Sequence, residues 1–285
     1  MAQIFKGLVC DGEIAVTVIK STDIVNKAIE YFELSPVAAA ALGRMLSISS
    51  IMGYELKHED DNLTVVLNGG GDIGVMTTTA SSNGNVKGYV TNPLVESFIN
   101  EKGKLDVKRA VGTNGKMTII KNMGLKDPYV GTSEIVSGEI AEDFTAYYAL
   151  SEQIPTAVAL GVRIGKDLKC IGAGGVIVQA MPFASEKALK KAEEIILTIT
   201  NVSELVETIG AEGIMDKYFS CTEFENFTPQ YKCLCSRENT ERILASLGKK
   251  ECMDIINEEG EIKVDCEFCN TVYTFDINDV NKIFN

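Results

Sequence analysis

The spacing of hydrophobic and polar positions changes several times along the 285-residue chain, and each change predicts an element. Ser21, Thr22 and Asp23 offer helix caps, and Val25, Ala28, Ile29 and Phe32 follow at the spacing of one helical face. Ser35-Pro36 opens a second helix, because proline is pre-shaped for a first turn. Residues 38–52 are apolar almost all round, which predicts a buried helix. The period then shortens. Residues 63–67, 73–79 and 86–91 are β-rich, separated by Gly69-Gly70-Gly71 and Asn83-Gly84, the chemistry of tight antiparallel turns. Further hairpins are predicted around Asn114-Gly115 and between 157–164 and 170–178, with a helix over 139–152 capped by Ser137.

At Met181-Pro182 the strand pattern ends. Ser185 caps a helix with Leu189, Ala192, Ile196 and Ile199 on one face, and a short helix over 204–209 ends at Gly210. Residues 212–230 have no clear period and hold Tyr218, Phe219, Phe224 and Phe227. The expected class is therefore α+β. It comprises an N-terminal core of mainly antiparallel sheet with packed helices (1–182), a metastable helical linker (183–230) and a small C-terminal domain (231–285), which the four cysteines Cys233, Cys235, Cys266 and Cys269 mark as zinc-binding.

Composition narrows the function. Hydrophobic residues make up 45% and charged residues 24%, as in an ordinary globular protein. A net charge of −13 disfavours a phosphate backbone as a general partner, so no nucleic acid is expected. No apolar run reaches ~18 residues, so no membrane partner is expected. The N-terminus lacks the basic and apolar regions of a secretory signal. The expectation is a cytoplasmic chain, in which eight cysteines serve as thiols, metal ligands or redox switches.

The cysteine pattern carries the chemistry. Cys233-Leu-Cys235 and Cys266-Glu-Phe-Cys269 supply four thiolates in two close pairs, the donor set of a tetrahedral zinc site. Around the second pair, 261–264 and 272–275 read as strands flanking a knuckle, and Asp276 caps a last helix. Two short helices are expected between the pairs, one bearing Ile243, Leu244 and Leu247 and another around 252–257. A unit of about 55 residues rarely buries enough apolar surface alone, and zinc binding would supply the difference. Four thiolates leave no open position for water, which disfavours hydrolysis. Cys-x-Cys can instead close into a strained, labile disulfide. A structural site and a redox sensor both remain open at this point.

Weaker signals favour ordinary roles. In Gly112–Thr118, Ala110 and Met117 break the phosphate-loop pattern. The Gly172–Gly175 run continues as strand where a dinucleotide fold requires a helix. His58, the one histidine, sits in a charged loop. No enzyme is expected. Cys10, Cys170, Cys221 and Cys252 are unpaired by spacing and read as structural thiols, although Cys221 and Cys252 flank the zinc unit and could join oxidative exchange. A thiol–disulfide oxidoreductase would want Cys266-Glu-Phe-Cys269 at a helix start. A zinc-ribbon nucleic-acid binder would want a basic module, whereas 231–285 carries 7 Lys/Arg against 11 Asp/Glu.

With these residues in view, the chain resembles the redox-regulated 33 kDa heat-shock chaperonin family over essentially its whole length. The resemblance is carried by Ala41-Leu42-Gly43-Arg44, Lys87-Gly88-Tyr89-Val90-Thr91-Asn92-Pro93 and Ser137-Gly138-Glu139-Ile140-Ala141-Glu142-Asp143. Ser151-Glu152-Gln153-Ile154-Pro155, Ala173-Gly174-Gly175 with Gln179 and Pro182, and the two cysteine pairs complete it. One departure is the turn at 68–74, where the family often carries Gly-Pro and this chain has Gly71-Asp72-Ile73. The resemblance implies an ATP-independent holdase for unfolding client proteins. It implies one Zn2+ per reduced chain on Cys233, Cys235, Cys266 and Cys269. It further implies that oxidation releases zinc, forms Cys233–Cys235 and Cys266–Cys269 disulfides, loosens the linker and converts a monomer to a homodimer.

Overall fold

The computed structural model describes residues 1–221 and 223–284, so Thr222 of the expected linker and Asn285 at the end of the cysteine unit lie outside the described residues. The chain forms two compact units, Met1–Lys232 and Cys233–Asn285.

The larger unit opens with a hairpin not expected from the sequence, β1 (Gln3–Val9) and β2 (Ile14–Lys20), which turns through Cys10, Asp11 and Gly12 at positive φ. α1 (Thr22–Phe32) and α2 (Pro36–Tyr54) follow. Then come β3 (Asn62–Asn68), β4 (Val75–Ser81) and β5 (Val86–Val90), the three expected strands. α3 (Val107–Val111) leads into β6 (Lys116–Asn122) and β7 (Tyr129–Glu134). The Asn114-Gly115 expectation is thereby corrected: this pair joins α3 to β6, and the hairpin partner of β6 is β7. Packing decides it, because Asn114 N–H donates to Gly69 O and the end of α3 lies on the glycine turn. A Cβ on Gly71 would sit 2.3 Å from Ala110 O.

α4 (Ala141–Tyr147) continues as one turn of π-helix, Tyr148–Glu152. Its start is held by Asp143 rather than Ser137. Asp143 is fully buried, and its carboxylate accepts the backbone N–H groups of Val136, Ser137, Gly138 and Ile140. β8 (Thr156–Ile164) and β9 (Cys170–Ala180) form the last expected hairpin. Two five-stranded antiparallel sheets result, β10-β1-β2-β9-β8 and β5-β4-β3-β6-β7, where β10 is Phe224–Phe227. α2 packs on strands of both sheets. It is long and apolar enough to cross a membrane, yet it is enclosed by the core. Its buried hydroxyls are paired, Ser47 with Ser21 at 2.7 Å and Ser49 with Thr78 at 2.6 Å.

The segment expected as a linker lies within the larger unit. It forms α5 (Glu186–Thr198, capped by Ser185), α6 (Val202–Thr208) and α7 (Gly210–Phe219) before β10. These helices, with Ile199 just after α5, bury Ala188, Val206, Ile214 and Met215 against Val16, Val18, Val176 and Val178. β2 is therefore covered on both faces, which explains its nearly continuous apolar run. Tyr231 and Lys232, expected in the cysteine unit, also belong here.

The smaller unit contains α8 (Arg237–Leu247), α9 (Lys249–Glu259), β11 (Ile262–Asp265), β12 (Val272–Phe275) and α10 (Ile277–Ile283). Among its described residues, a small apolar cluster of Leu244, Cys252, Ile256, Ile262, Phe275 and Val280 is buried.

Candidate metal centre

Two short local structures bring the cysteines together. Cys233 and Cys235 lie in the irregular stretch that ends at Ser236, whose hydroxyl accepts Asn239 N–H and caps α8. Cys266 and Cys269 lie in the knuckle between β11 and β12. There Cys266 O accepts the amides of Cys269 at 3.1 Å and Asn270 at 2.8 Å, and Cys266 N–H donates to Thr271 O. Asn270 takes φ +53, which returns the chain into β12. Arg237 braces the fold by donating to Thr274 O and Asp279, with its guanidinium 4.2 Å from the centroid of the Phe275 ring.

All four sulfurs lie within 4.8 Å of one another. Cys233 Sγ is 3.6 Å from Cys266 Sγ, and Cys235 Sγ is 3.4 Å from Cys269 Sγ. A tetrahedral ion with metal–sulfur bonds of ~2.3 Å places its ligand sulfurs about 3.8 Å apart, so the cluster fits such an ion with small adjustments. Cys269 is 7% exposed, and the other three are half-buried.

The electrostatics point the same way. Burial pushes the Cys233 thiol up to about 12, and burial also raises Cys266. Burial acts upward on Cys269 too, but hydrogen bonds from the Thr271 hydroxyl and amide, then from Cys235 and Cys266, outweigh it and hold this thiol at about 7. The raised thiols resist ionisation on their own, and four sulfurs at this spacing could hold a metal ion that favours their thiolate form.

Thr271 and Tyr273 are the participants that sequence reasoning missed. Thr271 Oγ1 lies 3.2 Å from Cys269 Sγ, and the Tyr273 hydroxyl donates to Cys235 Sγ at 3.3 Å. That hydrogen bond, then burial, pushes the Tyr273 phenol up to about 12, so it remains a donor at neutral pH. Such outer partners orient sulfur ligands.

The other cysteines stand outside this cluster. Cys170, Cys221 and Cys252 are buried, and burial raises all three thiols, Cys170 to about 12. Gly112–Thr118 runs from the end of α3 into a strand, Gly172–Gly175 lies inside β9, and His58 is exposed in a loop. None has the setting of the corresponding phosphate, dinucleotide or catalytic motif.

Comparison with known proteins gives one result throughout. The family model described as Hsp33 protein matches residues 2–276. A 33 kDa chaperonin of Clostridium botulinum (strain Alaska E43 / Type E3) is 45% identical over 270 residues, covering 92% of this chain and 90% of that protein. A 33 kDa chaperonin of Clostridium beijerinckii is 42% identical over 281 residues, covering 96% and 95%. The crystal structure of the 33 kDa chaperonin (heat shock protein 33 homolog) from Thermotoga maritima superimposes with a TM-score of 0.91 at 32% identity, covering 99% of this chain and 97% of that one.

Proposed function

The chain belongs to the Hsp33 family, and on that premise we propose that it is a redox-regulated, ATP-independent holdase that binds unfolding client proteins in the cytoplasm. It is a chaperone rather than an enzyme. The observation that carries the regulation is the convergence of Cys233, Cys235, Cys266 and Cys269 within 4.8 Å. These four residues would hold one zinc ion, which when bound keeps all four sulfurs as thiolates and stabilises a unit with a small core.

Oxidation removes the ligands. In each pair, Cys233 with Cys235 and Cys266 with Cys269, two thiolates give two electrons to hydrogen peroxide. The sulfurs join, the O–O bond breaks, and the two hydroxides formed take up two protons from solvent as water. The smaller unit then loses its principal support. In this reading 183–230 loosens and the protein dimerises. Val16, Val18, Val176 and Val178, the apolar sheet face under α5–α7, become available to clients.

The test is to treat the reduced, zinc-loaded protein with peroxide at raised temperature and follow zinc, dimerisation and aggregation of a heat-denatured client together. Zinc release with ATP-free protection, reversed by a thiol reductant, is expected. Protection that is equal before and after oxidation would remove the switch, and reduction of insulin disulfides at catalytic rates would favour an oxidoreductase.

A further inference from the structure

The stretch immediately before Cys233 closes an edge of both large sheets in turn. β10 pairs antiparallel with β1, Phe224 opposite Gly7 and Phe227 opposite Ile4. Phe224 meets Phe5 edge-on with ring centroids 5.0 Å apart, and Phe227 stacks on Tyr54 at 5.8 Å. After Pro229 the chain reaches the edge of the second sheet. Gln230 O accepts Val86 N–H, and Lys232 N–H donates to Val86 O, both at 2.9 Å, forming a parallel bridge centred on Tyr231. Farther along β5 the Tyr231 phenol accepts Gly88 N–H at 3.2 Å and donates to Gly88 O at 2.7 Å. A side chain here takes both backbone groups that another strand would take. Strand edges are templates for pairing, and these two are closed by a segment covalently joined to the first metal-site cysteine.

We propose that residues 224–232 are an internal stand-in for a client, and that the β1 and β5 edges they cover bind an extended, aromatic-bearing segment of an unfolding protein as an added strand. The stand-in itself specifies the partner's chemistry: extended backbone, with aromatic side chains at Phe224, Phe227 and Tyr231. Main-chain hydrogen bonds are indifferent to sequence, which suits a binder of many clients, while the rings of Phe5 and Tyr54 favour aromatic segments. Release of the strap rests on the holdase reading above, since it follows loss of the cysteine cluster one residue downstream.

Hydrogen exchange at Val86 and Gly88 in the full chain reads the edge directly. Both amides are expected to be protected when the protein is reduced and to exchange at least about tenfold faster after peroxide. A soluble probe peptide of alternating Phe and Thr should restore protection, and the same peptide N-methylated at alternate amides should not. In the reduced state, Tyr231→Ala should bind the probe about tenfold more tightly than the native chain, having lost the two phenol hydrogen bonds that close the edge at Gly88. Tyr231→Phe, which keeps the ring, should fall between. If the oxidised chain protects clients while Val86 and Gly88 stay protected, or if the methylated peptide binds equally well, the edge proposal is overturned and the holdase reading stands. If no redox state protects clients, the holdase reading fails, and the reduced Tyr231→Ala chain still decides the edge: absence of probe binding overturns it.

Discussion

Cys269 and Cys233 sit in one cluster yet differ in how they hold their protons, about 7 for the first and about 12 for the second. Metal binding must expel protons from the raised thiols across the neutral range. Zinc affinity should therefore weaken as pH falls from about 8 to about 6, measured by competition with a chromogenic chelator. A pH-independent affinity would contradict thiolate ligation. Replacing Cys266 with Ser removes one thiolate donor and should abolish stoichiometric zinc binding; retention at native affinity would sink the ligand assignment. Tyr273→Phe removes the hydroxyl that donates to Cys235 Sγ and should weaken zinc by about 10–100-fold without unfolding the larger unit. The convergence of the four cysteines was legible because two close pairs at this spacing point to one cluster. Thr271 and Tyr273 were not, because no motif marks them. Their hydroxyls reach sulfur only after Asn270 turns the knuckle at positive φ, a property of the folded backbone rather than of residue spacing.

At the scale of elements, the docking of α6 depends on a floor without side chains. Gly161 of β8 faces Gly174 of β9, and a Cβ on Gly161 would lie 2.5 Å from Ser203 N. A Cβ on Gly174 would lie 2.7 Å from Val206 Cγ2. Gly161→Ala must therefore lift or shift α6, a strain of about 1–3 kcal/mol. Limited proteolysis should then cut within 183–219 sooner than in the native chain, while β3–β5 stay protected. Some client protection should also be visible without oxidant. Unchanged protease resistance would mean that α6 does not rest on this floor. The same elements show where pattern reading succeeds. α2 opens on Pro36 and is apolar almost throughout, and α5 is capped by Ser185 and carries one apolar face, so both were legible. α7 has Ala211, Ile214, Met215 and Phe219 at helical spacing, but Gly210 and Gly213 dilute the helix signal. The β1–β2 hairpin had its own sign in Asp11-Gly12 between apolar runs, yet apolarity on both faces hides strand alternation. β10 exists because it pairs with β1, more than two hundred positions earlier, and no local window contains that cause.

For the whole molecule, the question is whether the metal or the disulfides control the larger unit. Unit 1 has an extensive core around α2, whereas unit 2 is organised around a few apolar side chains and the cysteine cluster. Chelation should accordingly raise hydrogen exchange throughout 233–284 and leave the core strands, including β5's partner β4, slow to exchange. The two units are joined at Lys232–Cys233, directly after the strap on β5. Disorder in the smaller unit would thus begin at the residue covalently next to the Lys232–Val86 hydrogen bond. In the proposed switch zinc loss and disulfide formation occur together, and replacing all four cysteines with serine separates them. That chain can neither hold zinc nor close either disulfide. If the metal acts chiefly as a restraint, it should protect clients without oxidant and show fast exchange in 183–230, with little further response to peroxide. If it remains inert while the oxidised native chain is active, disulfide formation itself is required. The strained Cys233–Cys235 ring, rather than release of the zinc-held fold, would then be what loosens the chain beside the sheet edges.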